Sequence, residues 1–206
     1  MRTIRIGSGA GYGGDRIEPA IDLMERGNLD YIIFECLAER TIALAQMNKM
    51  KDPEKGYNDL FEYRMERILP VLAKKKVKVI TNMGAANPLS AMKKAVEMAK
   101  ALGVSGLKIA AVTGDDVFDK LEQYGDYTVI ETGRPLKELE GTKLSANAYI
   151  GAAGIVEALK NGADIIITGR VADPALVVGP LVYEFGYSFE DYDMLGKCTI
   201  AGHLLE

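Results

Sequence analysis

Several short clusters in this chain combine residue types able to bind an anion or move a proton. The first, Gly7-Ser8-Gly9-Ala10-Gly11-Tyr12-Gly13-Gly14-Asp15-Arg16, contains a literal G-x-G-x-x-G at Gly9, Gly11 and Gly14. Glycines so spaced let backbone N–H groups approach a phosphate or carboxylate closely. Gly9, Gly11, Gly13 and Gly14 are therefore candidates for an anion cradle. A loop that needs positive φ and binds nothing would use the same residues. Glu35 follows about 20 positions on, where a dinucleotide site places the carboxylate that holds a ribose hydroxyl. The match is loose, because Pro19 is the natural opening of the first helix and leaves Gly14 well short of it.

Further along, Glu35, Glu39 and Arg40 cluster in FECLAERT, and Asn82 and Asn87 flank Met83-Gly84-Ala85-Ala86. Glu35 is a candidate acid–base group, while Glu39 reads more simply as a local ion-pair partner. Asn87 suits a helix cap before Pro88. Asn82 has no such use and is a candidate for holding a polar atom of a ligand. Thr113-Gly114-Asp115-Asp116 is a corner where Asp115 could serve acid–base chemistry, a hydroxyl or Mg²⁺, or simply cap a helix. Asn147 opens a stretch of small residues, Ser145 to Gly154, against which something must pack closely: a sheet or a ligand. The strongest single motif is Thr168-Gly169-Arg170-Val171-Ala172-Asp173-Pro174. Arg170 could bind a carboxylate or phosphate bidentately, or pair with Asp173. Both join the candidate substrate-binding set.

Other chemistries lack their residues. His203 is the only histidine, so no Ser-His-Asp set can be assembled without it, and neither G-x-S-x-G nor a Walker A loop is present. Cys36 and Cys198 form no C-x-x-C pair, which argues against structural zinc and a disulfide framework. No protein-ligated metal site is expected.

What positions these clusters is an alternation of short apolar runs and amphipathic stretches. Strands are predicted at Thr3–Ile6, Tyr31–Phe34, Val77–Ile80, Leu107–Val112, Tyr127–Ile130 and Asp164–Ile167. Helical spacing covers 19–26, 38–49, 59–75, 88–102, 115–123 and 146–161. Gly103 and Gly162 stand where helices should stop. Runs apolar on both faces, separated by helices, indicate a parallel sheet covered on each side. The expected fold is a single α/β domain over 1–206, a three-layer Rossmann-like sandwich, with part of a TIM-like barrel as the alternative. In such sheets ligands bind beyond the carboxyl ends of the strands, and that is where every cluster above falls.

The chain carries 25 basic and 29 acidic residues, a net charge of −4, so nucleic acid is not an expected partner. Lys74-Lys75-Lys76 is a short solvated run. No apolar run reaches membrane-spanning length, and the first residues resemble neither a signal nor a transit peptide. A cytoplasmic protein is expected, with a small molecule as its partner. Homo-oligomerisation is open.

Taken in order, GSGAGYGGDR, FECLAERT, ITNMGAANP, VTGDD, SANAYIGA and ITGRVADP resemble the N-terminal region of the acyclic terpene utilisation family. The resemblance spans essentially the whole chain. Members of that family are usually longer, so the resemblance implies either the N-terminal part of a longer family domain or a short member. It also implies a place in the catabolism of branched terpenoid acids, whose intermediates are acyl-CoA thioesters. It transfers no catalytic residue. The expected function is thus a small-molecule-binding enzyme or enzyme component with lyase- or hydratase-like chemistry on an acyl-CoA or carboxylated substrate. Its cofactor is undetermined: a CoA thioester enters as substrate, Mg²⁺ is open, and NAD(P) ranks lower. The alternatives are an NAD(P)-binding oxidoreductase and a non-catalytic ligand-binding subunit.

Overall fold

A computed structural model describes residues 3–206. Five strands form one parallel sheet in the order β1-β2-β3-β5-β4: β1 (Ile6–Ala10), β2 (Tyr31–Phe34), β3 (Lys78–Thr81), β4 (Ile109–Val112) and β5 (Ile165–Thr168). The sheet is open, so the three-layer sandwich is the observed fold and the barrel alternative falls. Helices α1 (Glu18–Arg26), α3 (Phe61–Leu72) and α4 (Pro88–Ala101) bury one face of the sheet. Helices α5 (Ala153–Lys160), α6 (Ala175–Phe185) and α7 (Tyr192–Leu205) bury the other. Helix α2 (Glu39–Lys51) leaves β2 near its C-terminal end, with Ile42 and Ala45 in a small apolar cluster of their own beside Leu37 and Ala85.

The double coverage explains the composition of the central strands. Along β2, Ile32 and Phe34 enter one core and Tyr31 and Ile33 the other. In β5, Ile165 and Ile167 alternate with Ile166 in the same way. A strand with both sides in a core reads as a continuous apolar run.

The winding defines a crevice. The connections after β1, β2 and β3 run over the first face, whereas those after β4 and β5 run over the second. Neighbours β3 and β5 are therefore the pair whose following segments diverge, the topological switch point where open α/β sheets bind ligands. Gly84 lets the two exits close up: a Cβ there would lie 2.5 Å from the Thr168 carbonyl oxygen.

Four sequence expectations are corrected. Strand one lies further along than Thr3–Ile6, so Gly7 and Gly9 are strand residues. A Cβ on Gly7 would strike Leu23 and Leu29, and one on Gly9 would strike the Phe34 ring. Tyr127–Ile130 is no strand. Val129 N–H bonds the Arg134 carbonyl inside a tight reversal, and Ile130 is 94% exposed. The β-branched run has no sheet to join, because turn residues fold it back on itself. The helix expected over 115–123 is a 3-10 segment, Phe118–Tyr124, and Asp115 caps nothing. The helix expected over 146–161 forms only from Ala153 to Lys160. Before it, Asn147 and Ile150 make isolated bridges to Asp116 and Val171. The small residues do admit a close neighbour, which is the sheet: a Cβ on Gly154 would lie 2.5 Å from Val112 Cγ1.

Gly84→Ala should lower stability by about 1–3 kcal/mol, because backbone at the crevice must move to admit a methyl group. A urea titration showing a reduced midpoint at constant m-value is the expected result.

Candidate functional site

The strand exits lie side by side, and their polar side chains form one connected network. Asn82, wholly buried after β3, accepts from Cys36 N–H through Oδ1 at 2.7 Å. Its Nδ2 donates to Glu35 Oε1, also at 2.7 Å. The same carboxylate oxygen accepts from Leu37 N–H at 3.0 Å. Asn82 thus ties the β2 exit to the β3 exit with both ends of its amide.

Arg170, after β5, is 2% exposed. Its Nη2 donates to the Leu37 carbonyl at 2.5 Å and its Nη1 to Asp173 Oδ1 at 2.5 Å. The Tyr149 ring covers the guanidinium, 4.5 Å from centroid to Cζ, and the Tyr149 hydroxyl donates to Glu39. Of the two uses read from the sequence, the ion pair with Asp173 is present. It takes Asp173 away from capping: α6 starts with Pro174 at its N-cap and no side-chain cap bond.

Asp115 is buried at the β4 exit. Its Oδ2 accepts from the Arg170 backbone N–H and from Asn147 Nδ2, each at 2.9 Å. Gly169 makes room for it, since a Cβ there would lie 2.5 Å from Asp115 Oδ1. Glu35, Asn82, Asp115, Asn147, Arg170 and Asp173 therefore come together, drawn from four strand exits and the segment before α5. Asn87 stands apart as the cap of α4, accepting from Ser90 N–H.

The glycine loop lies beside this network. Gly11 and Tyr12 do present adjacent N–H groups, but both donate to Asp15 Oδ2, at 2.9 and 3.0 Å. The loop supplies its own anion. A Cβ on Gly13 would come within 3.2 Å of the Cys36 carbonyl, and Gly14 packs under Tyr12.

Beneath the loop is a residue that sequence reasoning missed. Arg64 of α3 is fully buried, and its Nη2 donates to the carbonyls of Gly13 and Asp15 at 3.1 and 2.8 Å. Its Nη1 lies 2.9 Å from Cys36 Sγ. A signal existed: Arg64 sits on the apolar stripe Phe61, Met65, Ile68, Leu72, where a charge needs a specific reason. Burial nevertheless pushes the Cys36 thiol up to about 12, against the pull of Arg64. Cys36 is therefore a packed thiol.

Glu35 is a partly exposed carboxylate of the network. Burial pushes its carboxyl above the ordinary glutamate range, outweighing the Asn82 and Leu37 hydrogen bonds that favour the charged form. Asp173 nearby raises it further and Arg170 opposes. Oε1 is doubly held, while Oε2 accepts no hydrogen bond from a described residue. Burial also raises the Asp173 carboxyl, against the pull of Arg170. His203 is on α7 with its Nδ1 paired to Glu206. Among the described residues no group of three or more His, Cys, Asp or Glu side chains is arranged to hold a metal ion. No helix among them is long and apolar enough to cross a membrane.

A family model described as acyclic terpene utilisation family protein AtuA matches residues 4–206. No curated protein and no solved structure matches the chain.

Two outcomes follow from the geometry. Arg170→Ala should cost about 3 kcal/mol, since it strips a buried ion pair and the support of the Leu37 carbonyl. Equilibrium unfolding in urea reads this directly, and a loss under 1 kcal/mol would show that the guanidinium holds nothing together. For Glu35, the folded chain binds the proton more tightly than the unfolded chain. Its contribution therefore weakens as pH rises from the ordinary value of 4.5 through the raised folded value. Glu35→Gln keeps the acceptor oxygen and cannot ionise. The stability difference between variant and wild type should grow in the variant's favour across that window, measured at a series of pH values.

Proposed function

Because the chain belongs to the acyclic terpene utilisation family, we propose that its strand-exit crevice is the site of an enzyme or enzyme component handling intermediates of branched terpenoid acid catabolism. The substrate is an acyl-CoA thioester or a related carboxylated compound, and the chemistry is lyase- or hydratase-like. Glu35 is the general acid–base group. The observation that carries this reading is the state of its carboxyl. One oxygen is fixed by Asn82 and Leu37, the other accepts no hydrogen bond from a described residue, and burial raises the proton affinity above that of an ordinary glutamate, the direction a general acid–base carboxyl needs.

The rest of the network positions that group. Asn82 fixes its rotamer. Arg170 fixes the Leu37 backbone that donates to it. Asp115 and Asn147 fix the backbone of Arg170 in turn. With Asn82, Asn147 and Arg170 bonded to protein partners and Asp115 buried, ligand contact falls to the partly exposed Glu35 and to the backbone and side chains around the crevice mouth. Asp115 becomes a positioning residue in this scheme rather than a second acid–base group.

The dinucleotide alternative fares less well on the same geometry. A pyrophosphate at the glycine loop would have to displace the Asp15 carboxylate from Gly11 and Tyr12. It would also find α1 beginning only at Glu18. Mg²⁺ arriving with a substrate's phosphates stays compatible with the reading.

A thermal-shift panel with CoA, several acyl-CoAs, NAD(P), ATP and Mg²⁺ tests it. A ligand at a hundredfold its Kd stabilises by about 2.7 kcal/mol, which for this chain length raises Tm by roughly 5–10 °C. Acyl-CoAs should give the shift. Glu35→Gln should keep it while losing turnover by about 10²–10⁴-fold. A shift confined to NAD(P) would transfer the site to the oxidoreductase reading. Binding without turnover in wild type would make the chain a ligand-binding subunit.

A further inference from the structure

Beside the 35–37 segment, at the exits of β1, β2 and β3, lies a cleft of about 230 Å³. Residues Cys36 and Leu37 form part of its floor, α2 supplies Leu44 and Ala45, and Tyr12 and Leu60 flank it. Its walls are mostly apolar, and they leave large apolar side chains uncovered: Tyr12 is 69% exposed and Leu44 47%. The small cluster of Leu37, Ile42, Ala45 and Ala85 beneath it is separate from both main cores. Folding of the sheet therefore does not require these side chains to line an open hollow. A larger hollow of about 660 Å³ lies elsewhere, over the 3-10 segment, but charged side chains such as Asp119, Glu122, Asp126 and Lys137 ring it and no strand exit reaches it.

We propose that the smaller cleft is an acyl-chain subsite of the same functional site, taking an aliphatic chain of up to about nine or ten carbons. Size limits the occupant. A dry apolar cavity of about 150 Å³ accommodates benzene, with six carbons. Scaled by volume, 230 Å³ holds roughly nine. That is below the roughly 300–1,000 Å³ of pockets that enclose a whole drug-sized ligand, so only part of a CoA thioester would enter. The polar lining is confined to side chains such as Thr41, Asn48, Asn58 and Asp59. Of these, Thr41 already bonds the α2 cap and Asn58 Oδ1 already accepts from Leu60 N–H. Asn48 Nδ2 reaches Asp59 Oδ1 at 3.5 Å and Asp59 is solvent-exposed, so an apolar chain need not bury its charge. Position gives the link to chemistry, because the backbone forming the floor of the cleft is the backbone that donates to Glu35 and accepts from Arg170. A chain seated there holds its head group at the strand exits.

This inference rests on the acid–base reading of Glu35, and the test separates the two. Straight-chain alkanoates and their CoA thioesters, from four to fourteen carbons, are titrated against the full chain by thermal shift and calorimetry. Affinity should rise roughly fourfold per methylene and stop rising near nine or ten carbons. Ala45→Leu should move that limit down by about three carbons, the number that the longer side chain inserts. Leu44→Asp, at a half-exposed position where the fold is not at stake, should flatten the length dependence. Length-dependent affinity cut by both variants supports the subsite. Binding that ignores chain length overturns it and leaves Glu35 to be judged by the turnover of Glu35→Gln. Length-dependent binding together with unimpaired turnover in Glu35→Gln keeps the subsite and removes the acid–base role. No binding by any alkanoate or thioester overturns both.

Discussion

The rim of this sheet depends on one guanidinium held out of water. Arg170 leaves β5, passes under the Tyr149 ring and ends on the Leu37 carbonyl, so it spans from the fifth strand to the second across the exit of the third. A charge so buried persists only when its hydrogen bonds are complete. Here Asp173, Leu37 and the aromatic face complete them. The rest follows in sequence. Leu37 held in place can donate to Glu35, Asn82 closes the other side, and Asp115 accepts from the backbone N–H of the same arginine. Remove the guanidinium and three strand exits lose their common reference point.

Arg64 performs the parallel task one layer away. It fastens the glycine loop to the β2 exit by its carbonyls and sulfur, and Asp15 occupies the loop's own donors. The two arginines flank the 35–37 segment and leave it little freedom. A segment so constrained holds Glu35 in one place, because the free energy of ordering it is already met within the fold.

Much of this arrangement was legible in the residues. The runs at Tyr31–Phe34 and Asp164–Ile167 were recognisable as central strands because both faces are apolar, and Asn87-Pro88 marked the start of α4 without ambiguity. The clusters at the strand exits also named the members of the network. What could not be read was which of them would be consumed by one another. Glu35 and Asp115 look alike in sequence and each has one oxygen doubly held, yet Asp115 is buried against Gly169 while Glu35 stays partly exposed. That difference is set by contacts between residues 47 to 55 positions apart. Local reasoning failed where local signals pointed the wrong way. Tyr127–Ile130 has the composition of a strand but pairs only with its own reversal, Thr128 bridging Pro135, and Gly7 and Gly9 look like loop residues although they serve helix and ring packing. Arg64 was hidden because a single charge on an amphipathic stripe is easily assigned to the solvent side.

The stretch from Phe118 to Leu144 contributes no buried residue to either core. It is attached at one end by Asp115 and at the other by Asn147, which are joined to each other. A segment pinned at its base and free of the cores can change length, charge and shape without touching the terms that hold the sheet together. The scaffold therefore separates two tasks that many domains entangle. The sheet and its arginines hold the strand-exit network in place, while an adjoining stretch of chain is free to vary.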